Sequence, residues 1–259
     1  KLAMYVLVPN RLRARTLMKR LDLKKVIQFF TVHTGRNKEY LENLLNVSGD
    51  RVIRILESTD EMFFTPGEGS FSKACPLVAS AGMEQRDYKT LANALHGESI
   101  DVKICAFSPN ATSKTKVSMP DPIPENMEIR YFEFAELRDL YRSADIVVIP
   151  MLENAYYAGF TVLMEAMACR RPVIMTDNVG FSRELIEKGL IIGVKSGDEA
   201  ALRAAIKDLI DNPQKASNLA DKGYEYFLKN HSSECFVSDM SITLQSLSST
   251  VLSGNQAVC

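Results

Sequence analysis

The chain has 259 residues, enough for one large or two small domains, and its 46 % hydrophobic and 24 % charged content excludes a disordered or fibrous protein. A formal net charge of −1 excludes a global pull toward nucleic acid, so any charged partner must be met by a local patch. No run of roughly 20 apolar residues is present to cross a bilayer as a helix.

Residues 11–25 hold Arg11, Arg13, Arg15, Lys19, Arg20, Lys24 and Lys25 against the one acid Asp22, with Leu12, Leu17, Met18 and Leu21 interleaved. This pattern predicts a basic amphipathic helix, which is either a solvated face or a contact with anionic lipid. A strand over Val26–Val32, a helix from about Arg36 to Leu45 and a strand over Arg51–Leu56 follow, and Pro66, Gly67 and Gly69 mark a linker. From Pro76 onward the pattern alternates. Strands are expected at Leu77–Ala81, Val102–Phe107, Glu128–Phe132, Ala144–Pro150, Arg171–Thr176 and Leu190–Val194. Helices are expected at Asp87–Leu95, Ala135–Ser143, Arg183–Lys188, Glu199–Ile210, Gln214–Lys229 and Cys235–Leu247. Such alternation argues for an α/β fold, a Rossmann-like doubly wound parallel sheet. Residues 108–126, rich in Ser, Thr, Pro and Asn, read as a loop, and residues 248–259 as a disordered tail.

The segment from Asn154 to Cys169 sets a glycine-containing loop against the start of an apolar helix with one acid inside it, between two buried strands. In a strand–loop–helix–strand unit the free N–H groups of the helix's first turn lie at the carboxyl end of the sheet and favour an anion. Gly159 lets backbone approach a phosphate, Phe160 and Thr161 offer amides, and Glu165 lies a little over one turn deeper. A second loop of this kind, Gly82 to Lys89, follows the strand at Leu77–Ala81. There Arg86 offers a planar fork matched to phosphate oxygens and Lys89 a point charge, or both are ordinary charges of a helix start.

These residues resemble the signature of retaining GT-B-fold glycosyltransferases of the glycosyl transferases group 1 type, mainly their C-terminal nucleotide-sugar domain. That family carries two glutamates separated by seven residues, then Ala-Met-Ala and Pro-Val-Ile. Glu165 matches the second glutamate, which binds ribose hydroxyls, whereas Tyr157 stands at the first, which touches the donor sugar. Met83 stands where the family has an arginine after the first glycine, and Arg86 where it has a phosphate-binding lysine. The backbone at Phe132 and Glu133, beside Tyr131, resembles the family's base-binding edge, although an aromatic there is equally core. Arg170 replaces the usual glycine between helix and strand.

The resemblance implies four segments: residues 1–66 as the remnant of an acceptor domain, 67–75 as linker, 76–247 as the nucleotide-sugar domain and 248–259 as tail. It therefore implies a chain truncated at its N-terminus. It also implies transfer of a sugar from a nucleoside-diphosphate-sugar, with retention and without a metal, to a sugar, lipid-linked or small-molecule acceptor. No cofactor is implied beyond the donor itself. Two rivals stand beside this reading: a nucleotide-sugar-binding module or inactive transferase, and a GT-B-fold epimerase, against which the sparse histidines argue. Three isolated histidines, His33, His96 and His231, offer no metal site, the last two reading as surface residues. Five cysteines, odd in number and without metal spacing, favour a reducing compartment, hence a cytoplasmic protein, with residues 11–25 as its contact with a membrane face.

Overall fold

Strands that are apolar at nearly every position are stable only where both faces of a sheet are covered. In the computed structural model, which describes residues 2–6, 12–33, 35–67, 75–107, 115–153, 158–177 and 181–254, the apolar runs around residues 77–81, 146–149 and 173–176 are buried at every position. The chain divides into two units, one of residues 1–58 with 230–259 and one of residues 59–229.

In the first unit, β1 (Leu2–Tyr5), β2 (Ile27–Val32) and β3 (Val52–Arg54) form a parallel sheet in that order. The helices α1 (Leu12–Arg20) and α2 (Gly35–Leu45) connect them, and Met18, Phe30, Val32, Leu41 and Val52 fill the core. The predicted basic helix ends at Arg20, and a short 3-10 turn at Leu23–Lys25 carries the last two lysines.

The second unit contains β4 (Leu77–Ala81), β5 (Arg86–Asp87), α3 (Tyr88–Leu95), β6 (Asp101–Cys105), β7 (Val117–Ser118), β8 (Met127–Arg130) and α4 (Phe134–Ser143). It continues with β9 (Ile146–Ile149), α5 (Phe160–Ala168), β10 (Val173–Thr176), α6 (Phe181–Glu187), β11 (Ile192–Val194), α7 (Glu199–Asp211) and α8 (Pro213–Asn230). Six of these strands make one parallel sheet in the order β11-β10-β9-β4-β6-β8. The chain runs outward from β4 through β6 to β8, then returns to β9 on the other side of β4. The strand order therefore reverses between β4 and β9, and the loops that leave these two strands flank the crevice where such sheets bind ligands. Alternation along the strands sends Ala79, Ala81, Val147 and Ile149 to the face covered by α4 and α5, and Val78, Val148 and Ile174 to the face covered by α3 and α7. Asp87 and Asp198 start α3 and α7 by accepting from the amides of Thr90 and Ala201 at 3.2 and 2.9 Å.

The sequence-based boundaries differ from this structure at three places. The first unit ends at Ser58 rather than residue 66, because Phe64 is buried in the second unit's core with its ring 6.3 Å from that of Tyr141. Residues 230–259 join the first unit rather than the nucleotide-sugar segment. The final helix, α9 (Ser233–Gly254), runs through much of the expected tail, since no glycine or proline interrupts it before Gly254. Most of the expected linker, residues 68–74, and residues 255–259 lie outside the described residues. His231 is buried rather than on the surface, its Nδ1 2.8 Å from the carbonyl of Glu57.

Two arginines end α5. Arg170 takes φ 54°, the left-handed conformation that a side chain disfavours by roughly 1–2 kcal/mol, and pairs with Asp221. Arg171 is buried and spans three carbonyls, donating Nε to Cys169, Nη1 to Ala144 and Nη2 to Gly67 at 3.0, 3.1 and 2.9 Å. It thereby ties the segment at Gly67 to the core of the second unit. A lysine keeps the charge but has no planar fork to reach three acceptors at once. Arg171→Lys is expected to lower stability by about 2–3 kcal/mol in urea denaturation and to speed proteolysis near residue 67.

Candidate functional site

Gly159 caps α5 with φ +92°, and a Cβ there would lie 3.1 Å from Met175 Cε and 3.2 Å from Ile149 Cγ2. Only glycine lets the chain leave β9 and enter this helix so close to the sheet. Among the described residues the first bond of the helix runs from Leu163 N to Gly159 O at 3.0 Å, and the first-turn amides carry the positive end of the helix dipole. Phe160 is buried and packs edge-on to Phe181 at 5.3 Å, which leaves it only its backbone for a ligand, while Thr161 is exposed. Tyr157 lies outside the described residues.

The loop after β4 forms the other wall. Gly82 has φ +89°, and its missing Cβ would stand 2.7 Å from Arg86 Nη2. Arg86 is buried, which pushes its pKa down, and donates Nε to Ala81 O at 2.8 Å and Nη1 to Glu84 O and Met151 Sδ, each at 2.9 Å. Most of the fork expected to meet phosphate is therefore spent on holding its own loop and on reaching across to Met151 after β9. The guanidinium also engages the Tyr88 hydroxyl, and its Nη2 sits in the notch that Gly82 leaves open. The two loops are also tied by backbone, Asp87 N to Pro150 O at 3.0 Å and Leu152 N to Gln85 O at 2.9 Å. Lys89 lies exposed on the first turn of α3.

Glu165 is the one acid in α5 and is 8 % exposed. Its Oε2 accepts from Tyr141 Oη at 3.1 Å, and Oε1 has no partner among the described residues. Burial pushes its pKa up to about 7, outweighing the Tyr141 hydrogen bond and the charge of Arg86, which both act downward. The same burial, with Glu165 next to it, holds the Tyr141 phenol well above its ordinary value.

Along the carboxyl edge beyond β4, Phe132 is buried beneath the Arg130 guanidinium, 3.6 Å from its ring centroid. Glu133 is exposed and starts α4, its amide donating to Glu136 Oε2 at 2.8 Å. The side chains that reach solvent are instead Tyr131, 46 % exposed, and Phe107, 44 % exposed, packed edge to face at 4.7 Å where β8 and β6 end. Phe107 was not singled out by sequence reasoning, because an aromatic at a strand end reads as core until the next strand's end is known to lie beside it. The candidate site therefore comprises four groups: the first turn of α5, the Gly82–Arg86 notch, Glu165 and the aromatic pair. Among the described residues no cluster of three or more His, Cys, Asp or Glu side chains is placed to hold a metal ion, and no helix is long and apolar enough to cross a membrane.

Because the folded pKa of Glu165 exceeds its unfolded value of 4.5, the fold favours the protonated acid. The stability this contributes is complete below pH 4.5 and is lost as pH rises through about 7. Glu165→Gln, which mimics the protonated form, is expected to exceed the wild type in stability by about 2–3 kcal/mol at pH 8.5 and to match it near pH 4.5. Thermal melts across that range check the convergence.

Comparison with known proteins places these features. The family model for Glycosyl transferases group 1 matches residues 89–212. The candidate glycosyltransferase EpsD of Bacillus subtilis (strain 168) is 25 % identical over 166 residues, which are 62 % of this chain and 42 % of that protein. Among solved structures, a glycosyltransferase from Rickettsia africae superposes with a TM-score of 0.70 at 15 % identity, over 95 % of this chain and 70 % of its own. Sucrose-phosphate synthase from Thermosynechococcus elongatus gives 0.66 at 18 % identity over 90 % of this chain, which spans 62 % of that enzyme. HepE of Anabaena, crystallised with UDP and glucose, gives 0.67 at 14 % identity, over 94 % of this chain and 71 % of its own. These likenesses show a shared fold, that of the GT-B glycosyltransferases. Residues 89–212 belong to the Glycosyl transferases group 1 family.

Proposed function

We propose that the second unit binds a nucleoside-diphosphate-sugar and that the protein transfers the sugar, with retention, to a sugar, lipid-linked or small-molecule acceptor. The observation that carries the reading is the buried Glu165, whose Oε1 has no partner among the described residues, a little over one turn inside a helix that Gly159 starts beside the strand switch point. The diphosphate lies on the amides of Gly159, Phe160 and Thr161 and against Arg86 Nη2 in the Gly82 notch, with Lys89 adding charge from α3. Ribose hydroxyls meet Glu165, and the base packs on Tyr131 and Phe107 beside the backbone of Phe132 and Glu133. Helix amides and a guanidinium stabilise the diphosphate as it departs, which is the charge stabilisation that a metal supplies elsewhere. HepE, of the same fold, binds UDP and UDP-glucose, and this supports a donor of that class.

The exposed Arg13, Lys19, Arg20 and Leu12 of α1 supply a local basic patch for contact with the cytoplasmic face of a membrane, in a chain whose overall charge is near zero. A second reading, a binding module without turnover, is favoured by Tyr157 and Met83 standing where the family has a glutamate and an arginine.

Calorimetric titration with UDP, GDP, ADP and their common sugar conjugates tests the donor site, and one base is expected to bind preferentially. Gly82→Ala is expected to weaken that nucleotide at least about tenfold, because its Cβ would fill the notch at Arg86 and its φ disfavours a side chain. No heat with any nucleotide would sink the reading. Binding with neither sugar transfer nor donor hydrolysis by NMR, on a chain supplied with candidate acceptors, would leave the binding module.

A further inference from the structure

A carboxylate recognises a pair of ribose hydroxyls only if it is ionised and if its open lone pairs stay aimed at the ligand. A buried glutamate meets neither condition by itself, since burial favours the neutral acid and its terminal torsion rotates freely. Glu165 has one neighbour that addresses both. Tyr141 projects from α4 with its side chain fully buried, wedged beside Phe64, and its hydroxyl donates to Oε2 at 3.1 Å. A phenol has a single proton to give, so this bond engages Oε2 and leaves Oε1 without a partner among the described residues.

We propose that Tyr141 is a positioning residue for nucleotide recognition: its hydroxyl holds Oε2 so that Oε1, as the carboxylate, receives the ribose hydroxyls, and it links nucleotide affinity to the protonation of Glu165. The proposal rests on the donor-site reading. It differs from a packing role, which Phe64 and the Tyr141 ring would satisfy without any hydroxyl.

The groups around Glu165 leave it alone to titrate near neutrality. Arg86 from β5 is the nearest cation and stays charged, favouring the carboxylate. Tyr88 of α3, which lies in the field of Arg86 and Tyr141, is pushed by burial up to about 12. Cys105 at the end of β6 and Cys169 at the end of α5 both feel Glu165, and burial raises both thiols, the latter to about 12. Arg138 and Arg142 of α4 and Arg171 act on the Cys169 end of the helix. Below about pH 7 Glu165 takes up a proton, and Oε1 loses the charge that a hydroxyl donor seeks. Replacing the Tyr141 hydroxyl removes a donor to the carboxylate, so the protonation midpoint must move to higher pH.

The experiment measures the dissociation constant of the nucleotide-sugar that binds, by calorimetry from pH 5.5 to 9.5. Nucleotide-sugars are the probe because their diphosphate does not titrate in this range. Wild-type affinity is expected to be flat above pH 8 and to fall by about tenfold per unit below the Glu165 midpoint. Tyr141→Phe is expected to shift that midpoint at least half a unit upward and to bind more weakly than the wild type at pH 7.5, with a smaller deficit persisting at the alkaline end where Glu165 is ionised in both. Glu165→Gln is expected to bind weakly with no pH dependence. Carbon-13 NMR of labelled glutamate carboxyls in the ligand-free protein reports the Glu165 midpoint in both wild type and Tyr141→Phe, and circular dichroism checks that the variant is folded. A folded Tyr141→Phe with an unchanged profile and an unchanged Glu165 midpoint overturns the proposal. If no nucleotide-sugar binds at any pH, the donor-site reading itself fails and takes the proposal with it.

Discussion

A carboxyl group inside an otherwise apolar helix is the constraint on which the second unit's site depends. Every residue of α5 from Val162 to Ala168 is buried, and seven of the eight positions that the helix buries are apolar. An acid in such a helix is tolerated only with a hydrogen-bond donor and a route to solvent. Tyr141 supplies the first from α4, and the residual 8 % exposure of Glu165 supplies the second. The geometry then follows from helix rise, because Glu165 lies five residues after Phe160, roughly 7–8 Å along the axis from the first-turn amides. The amides and the acid are two distinct recognition points on one rigid element, and a ligand must be anionic at one end and rich in hydroxyls next to it to satisfy both.

Rigidity of the opposite wall comes from an arginine that works mostly inward. Arg86 bonds to carbonyls before and after the Gly82 turn and reaches Met151 beyond β9, so the two loops that flank the crevice move as one. Its positive charge is held close to the crevice without a flexible side chain having to be ordered when a ligand arrives, which reduces the entropy lost on binding. The tuning of Glu165 belongs to the same design. Arg86 lowers the energy of the carboxylate from one side while Tyr141 does so from another, and burial opposes both.

The sheet was legible in the sequence because its strands are short, apolar and separated by helices of ordinary length, and every strand of the six-stranded sheet lies within two residues or so of its expected place. The loop at Gly159 was legible for the same reason: a glycine before an apolar helix, between two apolar strands, has few other uses. What was not legible depended on neighbours distant in sequence. Leu2–Tyr5 is too short to announce a strand, and it becomes one only because Ile27–Thr31 offers a parallel partner. The short pairing of Arg86–Asp87 with Val117–Ser118 falls where composition says loop. Arg86 reads as a surface fork in the sequence, and only the fold shows two carbonyls and a thioether closing around it. Tyr141 and Phe107 carry no local signal at all, since the first lies 24 residues from its acid and the second meets Tyr131 across a strand pair.

Two of the departures from the family's pattern, Tyr157 and Met83, each remove a charge. In the proposed reading Glu165, Gly159, Gly82 and Arg86 would hold a nucleotide diphosphate, whereas Tyr157 and Met83 stand where the family has a glutamate and an arginine. A phenol offers hydrogen bonds and a stacking face but no charge at neutral pH, and a thioether offers neither charge nor a donor. On that reading affinity for the nucleotide would rest on backbone amides, a guanidinium and a buried acid, which the two substitutions leave in place, while contact with the donor sugar and stabilisation of the departing diphosphate would depend on the groups they change. If the donor-site reading holds, binding and turnover are separable on physical grounds, and the positions of Tyr157 and Met83 are where an active transferase and a nucleotide-sugar receptor would differ.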